Sequence, residues 1–148
     1  MCELETMIQN GIMNAMKAKD EISLSSLRAV KTAIQNEKTS GTFHELSDAD
    51  VLKIIQKIVK QRVESETIYR EAGRTELADA EAKEREVLER FLPKALTEEE
   101  LKSIIDGLFV TLNVQSMKDM GKIMAELNKT YAGRFDGKTA SGYIKSKF

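Results

Sequence analysis

The sequence predicts an all-α fold in two parts. An N-terminal hairpin or bundle of long helices spans residues 1–93, and a small three-helix basic tail spans residues 97–148. Three observations predict this. Apolar residues recur every three or four positions along nearly the whole chain, and no stretch alternates with period two. Ala, Leu, Ile, Lys and Glu dominate the composition, which leans towards helix. The one proline, Pro93, stands just before a helix-start signal at Thr97, so residues 93–97 read as the boundary between the parts.

The elements follow in order. Leu4, Met7, Ile8, Ile12, Ala15 and Met16 form one helical stripe, with Cys2 ahead of it at a terminus expected to fray. Leu24, Leu27, Val30 and Ile34 form a second, ending near Ser40-Gly41, and His44 falls in the linker. Ser47 reads as an N-cap followed by Asp48 and Asp50, where negative charge suits the helix dipole. That third helix carries Val51, Ile54, Ile55, Ile58 and Val59 and stops at Ala72-Gly73. Thr75 is the expected cap of a fourth, bearing Leu77, Leu88, Phe91 and Leu92. Its polar middle reads as a solvated face with i,i+4 pairs such as Glu81–Arg85. In the tail, Thr97 and Glu100 have capping-box spacing ahead of Leu101, Ile104, Ile105 and Leu108. Ser116 with Asp119 marks the next start, and Met120, Ile123, Met124, Leu127 and Tyr131 continue that helix. Ala140, Tyr143, Ile144 and Phe148 suggest a short last one.

Composition limits the function classes. With 148 residues, 41% hydrophobic and 32% charged, the chain suits a soluble globular protein able to bury a core without disulfides. One cysteine and no signal-peptide pattern fit a reducing cytoplasm. No apolar run approaches the roughly 20 residues of a membrane helix. A single histidine removes the Ser-His-Asp and His-rich zinc arrangements, and His44 in a polar linker reads as a turn residue. Glu81, Glu84, Glu86 and Glu89 read as a wet helix face rather than a catalytic dyad. No catalytic residue, metal-ligand set or cofactor motif is indicated. The net charge of −1 hides an asymmetry. Residues 64–106 carry seven basic and thirteen acidic groups, whereas residues 107–148 carry seven and three, a net +4. An anionic partner for the tail is the expectation.

The octet AGRFDGKT at 132–139 matches a relaxed phosphate-loop pattern, but the segment before it has helical spacing. A phosphate loop needs a strand there to aim its N–H groups, so a mononucleotide site is not expected. The octet reads instead as a helix–turn–helix joint, with Gly133 at a helix end and Asp136 capping the next helix. Lys118, Lys122 and Lys129 share one helix face nearby, Arg134 and Lys138 flank the turn, and Lys145 follows it. Gly121 is either a packing glycine or a place where another backbone approaches. Tyr131, Phe135 and Tyr143 read as core rather than as stacking platforms for bases.

Several blocks then stand out: SLRAVKTAIQNEK (26–38), KIVKQRVESETIYREAGRTEL (57–77), LERFLPKALTEEEL (88–101) and MGKIMAELNKTYAGRFDGK (120–138). In this order they resemble the YqeY family, whose members share a domain with the C-terminal tail of the B subunit of tRNA-dependent amidotransferase. The family usually has a small residue where Phe135 stands, so the turn is expected to differ locally. The resemblance implies a two-part all-α fold and a role in recognising tRNA, with amide-transfer chemistry in other domains. It makes Gly121, Lys122, Gly133, Arg134, Gly137 and Lys138 candidate backbone contacts, to which the residue pattern adds Lys118, Lys129 and Lys145. The expected function is non-catalytic binding of tRNA or structured RNA in the cytoplasm, with no DNA or membrane partner. An alternative is an adaptor docking on a tRNA synthetase or amidotransferase through the acidic hairpin. A less favoured one is a component of a carbon–nitrogen ligase using glutamine as amido donor, any such activity lying in a partner.

Overall fold

The computed structural model describes residues 1–148 and is helical throughout. Four helices come first: α1 (Glu3–Ala18), α2 (Glu21–Lys38), α3 (Asp48–Glu71) and α4 (Thr75–Glu89). Then come α5 (Glu98–Thr111), a 3-10 turn (Met117–Asp119), α6 (Met120–Tyr131) and α7 (Gly137–Ser146). The chain divides into two compact units, Met1–Leu92 and Pro93–Phe148.

Local capping chemistry sets most helix starts. Ser47 and Asp50 exchange side-chain and backbone hydrogen bonds of 3.2 and 3.0 Å at the head of α3. Thr97 and Glu100 do the same for α5, both at 3.1 Å. These reciprocal bonds satisfy N–H groups that have no partner inside the helix. Two expected starts differ. Arg74, not Thr75, occupies the N-cap of α4, and no side chain caps it. Ser116 makes no cap bond either; Asp119 instead accepts from the Gln115 N–H at 3.2 Å, closing a 3-10 turn ahead of α6.

The first unit buries Ile8, Leu27, Val30, Val51, Ile55 and Leu88 in one apolar core. Close packing of α1 on α2 depends on Gly11, where a Cβ would come 2.9 Å from the Leu27 Cδ1. Cys2 does not fray: it is half-buried at the N-cap of α1 and packs on the core, while Asp48 accepts from the Leu4 N–H at 3.0 Å. That bond fastens the start of α1 to the start of α3. Beside it Lys38 and Glu5, both buried, meet at 2.7 Å, and Glu45 joins from the rim at 3.2 Å.

Farther along the α3–α4 hairpin the apolar core gives out, and Ala78 is the one buried residue between Ala72 and Arg85. Arginines replace it. Arg62 lies 3.4 Å from both Glu81 and Glu84, and Arg85 bridges Glu66 at 3.1 Å and Glu89 at 2.9 Å. Glu81 therefore pairs across the hairpin with Arg62 rather than along α4 with Arg85. Neither Glu81 nor Glu84 lies on a wet face, with side chains only 17% and 21% exposed. The hydrogen bond from Arg70, supported by Arg85, holds the Glu66 carboxyl below its ordinary range.

The second unit has its own core of Leu101, Ile105, Ile123, Leu127, Phe135, Ala140 and Ile144. It draws on all three of its helices, and Phe135 from the joint between α6 and α7 inserts into it.

Candidate nucleic-acid interface

The joint between α6 and α7 is built residue by residue. Tyr131 ends α6, and Gly133 takes φ 76°, a left-handed value that glycine adopts without steric cost. Arg134 donates its N–H to the Tyr131 carbonyl at 3.0 Å, which closes the turn. Its own carbonyl accepts from the Leu96 N–H at 2.7 Å, and its Nε donates to the Lys94 carbonyl at 2.9 Å. The guanidinium also lies 5.6 Å from the centre of the Tyr131 ring. Arg134 thus pins the joint to the segment that leads into α5. Asp136 then caps α7, accepting from the Lys138 N–H at 3.3 Å and the Thr139 hydroxyl at 3.1 Å. Helix precedes the octet and helix follows it, so the geometry of a phosphate loop, in which a strand feeds the glycine turn, is missing.

The candidate lysines fall into two exposed stripes. Lys118 lies in the 3-10 turn, and Lys122 and Lys129 lie seven residues apart on α6 with exposed Ala125 between them. On α7, Lys138 and Lys145 are again seven apart, with exposed Gly142 between them. Seven helical residues are two turns, so each pair shares a face with a rise of about 10 Å between its members. Lys122 lies 3.3 Å from Asp119, whose carboxyl is held below its ordinary range by the Gln115 N–H and then by Lys122 itself. Lys118, Lys129, Lys138 and Lys145 form no salt bridge within the chain. Glu126 lies on the flank of the α6 stripe, half-buried.

Two glycines expected to matter are open ones. At Gly121 and Gly137, both exposed, an added Cβ would meet nothing within 4 Å. No packing inside the chain requires glycine at either position, and Gly137, the first residue of α7, has no positive φ. Gly133 is buried and belongs to the turn. The aromatics of the unit divide: Phe135 is buried, while Tyr131 and Tyr143 are half-buried. The sequence reading missed a cluster of Tyr143, Phe109 and Phe148 with Lys102 and Lys147. The spacing of Lys102, Asp106 and Phe109 on α5, and of Tyr143 and Lys147 near the end of α7, was the available signal. His44 Nδ1 lies 3.1 Å from the Thr42 carbonyl within its linker. No group of three or more His, Cys, Asp or Glu side chains is placed to hold a metal ion. No helix is long and apolar enough to cross a membrane.

Comparison with known proteins adds the lineage. The family model described as Yqey-like protein matches residues 5–148. The chain belongs to the YqeY family. It is 27% identical over 139 residues to the Clavispora lusitaniae protein named "Altered inheritance of mitochondria protein 41, mitochondrial", covering 91% of this chain and 79% of that protein. The protein of the same name from Kluyveromyces lactis is 25% identical over 142 residues, covering 94% and 72%. Its counterpart from Pyrenophora tritici-repentis is 26% identical over 134 residues, covering 86% and 70%. These names overturn the cytoplasmic expectation. A lone cysteine and the lack of an apolar span do not distinguish one disulfide-free compartment from another, so composition had no power to choose between them.

Proposed function

We propose that this YqeY-family protein binds tRNA or another structured RNA, mainly through phosphates, on the exposed lysine stripes of its second unit. One observation carries the reading: Lys118, Lys129, Lys138 and Lys145, all exposed, have no carboxylate partner, and a small residue lies between the lysines seven apart on each helix. An ammonium with no internal partner is available to an external anion. Gly142 gives a sugar–phosphate backbone room to lie between two such groups on α7, and Ala125 gives it room beside Lys129 on α6. Gly121 and Gly137 extend that room at the heads of α6 and α7. Arg134 supports the surface from beneath by fixing the joint that orients α7.

The adaptor alternative loses its main support. Of the nine carboxylates between residues 64 and 89, five (Glu66, Asp79, Glu81, Glu84 and Glu89) are engaged by Arg62, Arg70 and Arg85. The acidic run is largely internal glue for the hairpin rather than a docking face. The positive charge of the second unit is also smaller than that of residues 107–148 alone. Residues 93–148 carry nine basic and seven acidic groups, a net +2, because α5 brings Glu98, Glu99, Glu100 and Asp106. Position rather than net charge therefore has to direct binding.

A titration of labelled tRNA, mitochondrial and bulk, at several salt concentrations tests this. Displacing counterions from about three to five phosphates gives a log–log slope of about −2.7 to −4.5. A flat salt dependence, or no binding at low salt, contradicts the reading.

A further inference from the structure

The first unit contains a cavity that its arginine network does not fill. It has a volume of about 340 Å³ and is lined by α1, the start of α2 and the end of α4. Its floor is apolar, with Ala15, Leu27 and Val87 buried and Phe91 packed on the same core. Gly11 shapes that floor, because a Cβ there would lie 2.9 Å from Leu27 Cδ1 and 3.8 Å from Phe91 Cζ. The rest of the lining is polar and carries both signs of charge, with Asn14, Asp20, Ser23 and Arg90.

The anion of this pair is fixed from within the chain. Asp20, the N-cap of α2, accepts the Ser23 N–H at 3.1 Å and the Ser23 hydroxyl at 2.6 Å. Those bonds, the hydroxyl first, hold its carboxyl below the ordinary range, and the charge of Arg90 adds a smaller push. Arg90 is exposed and makes no salt bridge, so its guanidinium keeps its donors for a ligand. The occupant follows from this charge pattern. An apolar carboxylate would meet Arg90 but face Asp20, and an apolar amine would meet Asp20 but face Arg90. A neutral apolar solute would desolvate both charges and pair neither. A free α-amino acid carries an ammonium and a carboxylate on one carbon, and its side chain can lie on the floor. The volume is at the small end of the range for small-molecule sites, which suits a ligand of that size.

We propose that this cavity binds a free α-amino acid with a large apolar side chain. Arg90 takes its carboxylate, Asp20 takes its ammonium, and the side chain rests on Leu27, Val87 and Phe91. Ser23 is a positioning residue, holding the Asp20 carboxylate in place. The site lies wholly within the first unit and is independent of the RNA-binding reading.

The test titrates the isotope-labelled full-length protein with four compounds at neutral pH and follows its amide resonances. L-phenylalanine has both charges and a ring, hydrocinnamate lacks the ammonium, phenethylamine lacks the carboxylate, and L-alanine lacks the ring. L-phenylalanine should shift the Gly11, Ala15 and Ser23 amides at millimolar concentration and bind about tenfold more tightly than each of the other three. Arg90→Gln should weaken L-phenylalanine about tenfold without weakening phenethylamine. Asp20→Asn, which keeps a side chain able to cap α2, should weaken L-phenylalanine similarly without weakening hydrocinnamate. Circular dichroism melting confirms that both variants are folded. The proposal is overturned by no shift with millimolar L-phenylalanine, or by a singly charged analogue binding as tightly or more tightly. Folded variants that bind L-phenylalanine as the wild type does overturn it equally.

Discussion

In the first unit each of three arginines lies between two carboxylates: Arg62 with Glu81 and Glu84, Arg70 with Glu66 and Asp79, and Arg85 with Glu66 and Glu89. In the second unit Lys118, Lys129, Lys138 and Lys145 stand exposed without a carboxylate. The contrast follows side-chain chemistry. A guanidinium presents a planar fork that satisfies two acids at once and tolerates partial burial, whereas a lysine ammonium on a flexible stem stays hydrated until an anion arrives. The first unit uses cations to hold two helices together where its apolar core runs out. The second closes its core with apolar residues and leaves cations facing outwards. The first unit also leaves Lys53 and Lys57 exposed, so the contrast lies in which cations tie helices together rather than in exposure alone.

The comparison breaks most visibly through the cores. Because each unit has its own apolar cluster, Ile105→Ala and Ile55→Ala, both fully buried, should each cost about 3 kcal/mol. The damage should stay local. Hydrogen exchange of Ile105→Ala should lose protection over residues 98–146 while α1 to α4 keep theirs, and Ile55→Ala should do the reverse. Uniform loss in both variants would mean that the units do not unfold separately.

The buried cation of the first unit gives the next largest effect. Lys38→Met leaves Glu5 buried without its partner and should lower stability by about 3 kcal/mol in denaturant titration. The hydrogen bond that Lys38 donates to Glu5, with Glu45 adding, raises the Lys38 pKa against the opposing effect of burial. A raised lysine contributes stability fully below its unfolded value of about 10.4, and that stability is lost as pH rises through the folded value. The wild-type protein should therefore lose stability above about pH 10.5, and Lys38→Met should lose less over the same interval. An alkaline melting profile unchanged by the mutation would contradict this.

A pair of glycines sharpens the contrast on a smaller scale. Gly121→Ala meets open space on an exposed helix and should gain about 0.5 kcal/mol from helix propensity. Gly11→Ala brings a methyl group to 2.9 Å from the buried Leu27 tip, so overpacking should cancel or reverse that gain. Thermal melts should separate the two variants by about 1 kcal/mol, with Gly121→Ala the more stable. The opposite order would show that α1 and α2 have slack at their crossing.

Much of the fold was legible because helix signals are local. The N-cap at Ser47, the capping box at Thr97 and the cap at Asp136 depend on residues three apart or fewer, and all three form, Ser47 with Asp50 closing a full box as well. The apolar stripes name most of the core, since i, i+3 and i+4 spacing fixes a face before any packing occurs. Interactions between elements were not legible. Glu81 had a neighbour of the right sign at Arg85, four residues along, and chose Arg62 across the hairpin instead. Arg134 looked like a phosphate contact, yet its Nε binds a carbonyl 40 residues away in sequence. Gly121 invited a packing explanation that its surroundings do not provide. The aromatic–lysine cluster depends on two helices meeting, so no single window of sequence contained it. Membership of the YqeY family was carried by ordered blocks along the chain, but the compartment was not, because a compartment leaves little trace in a small helical fold.

The central claim is that the exposed lysines of the second unit, not basic side chains in general, meet the RNA. Lys53 and Lys57, one turn apart and exposed on α3, supply the control. The decisive measurement is the affinity for labelled tRNA at fixed low salt of two double variants, Lys129→Glu/Lys138→Glu and Lys53→Glu/Lys57→Glu, which change net charge equally. The account predicts a loss of at least about 30-fold for the first and less than about threefold for the second, with a shallower salt slope in the first alone. Equal losses in both, or the larger loss in the α3 variant, would contradict it.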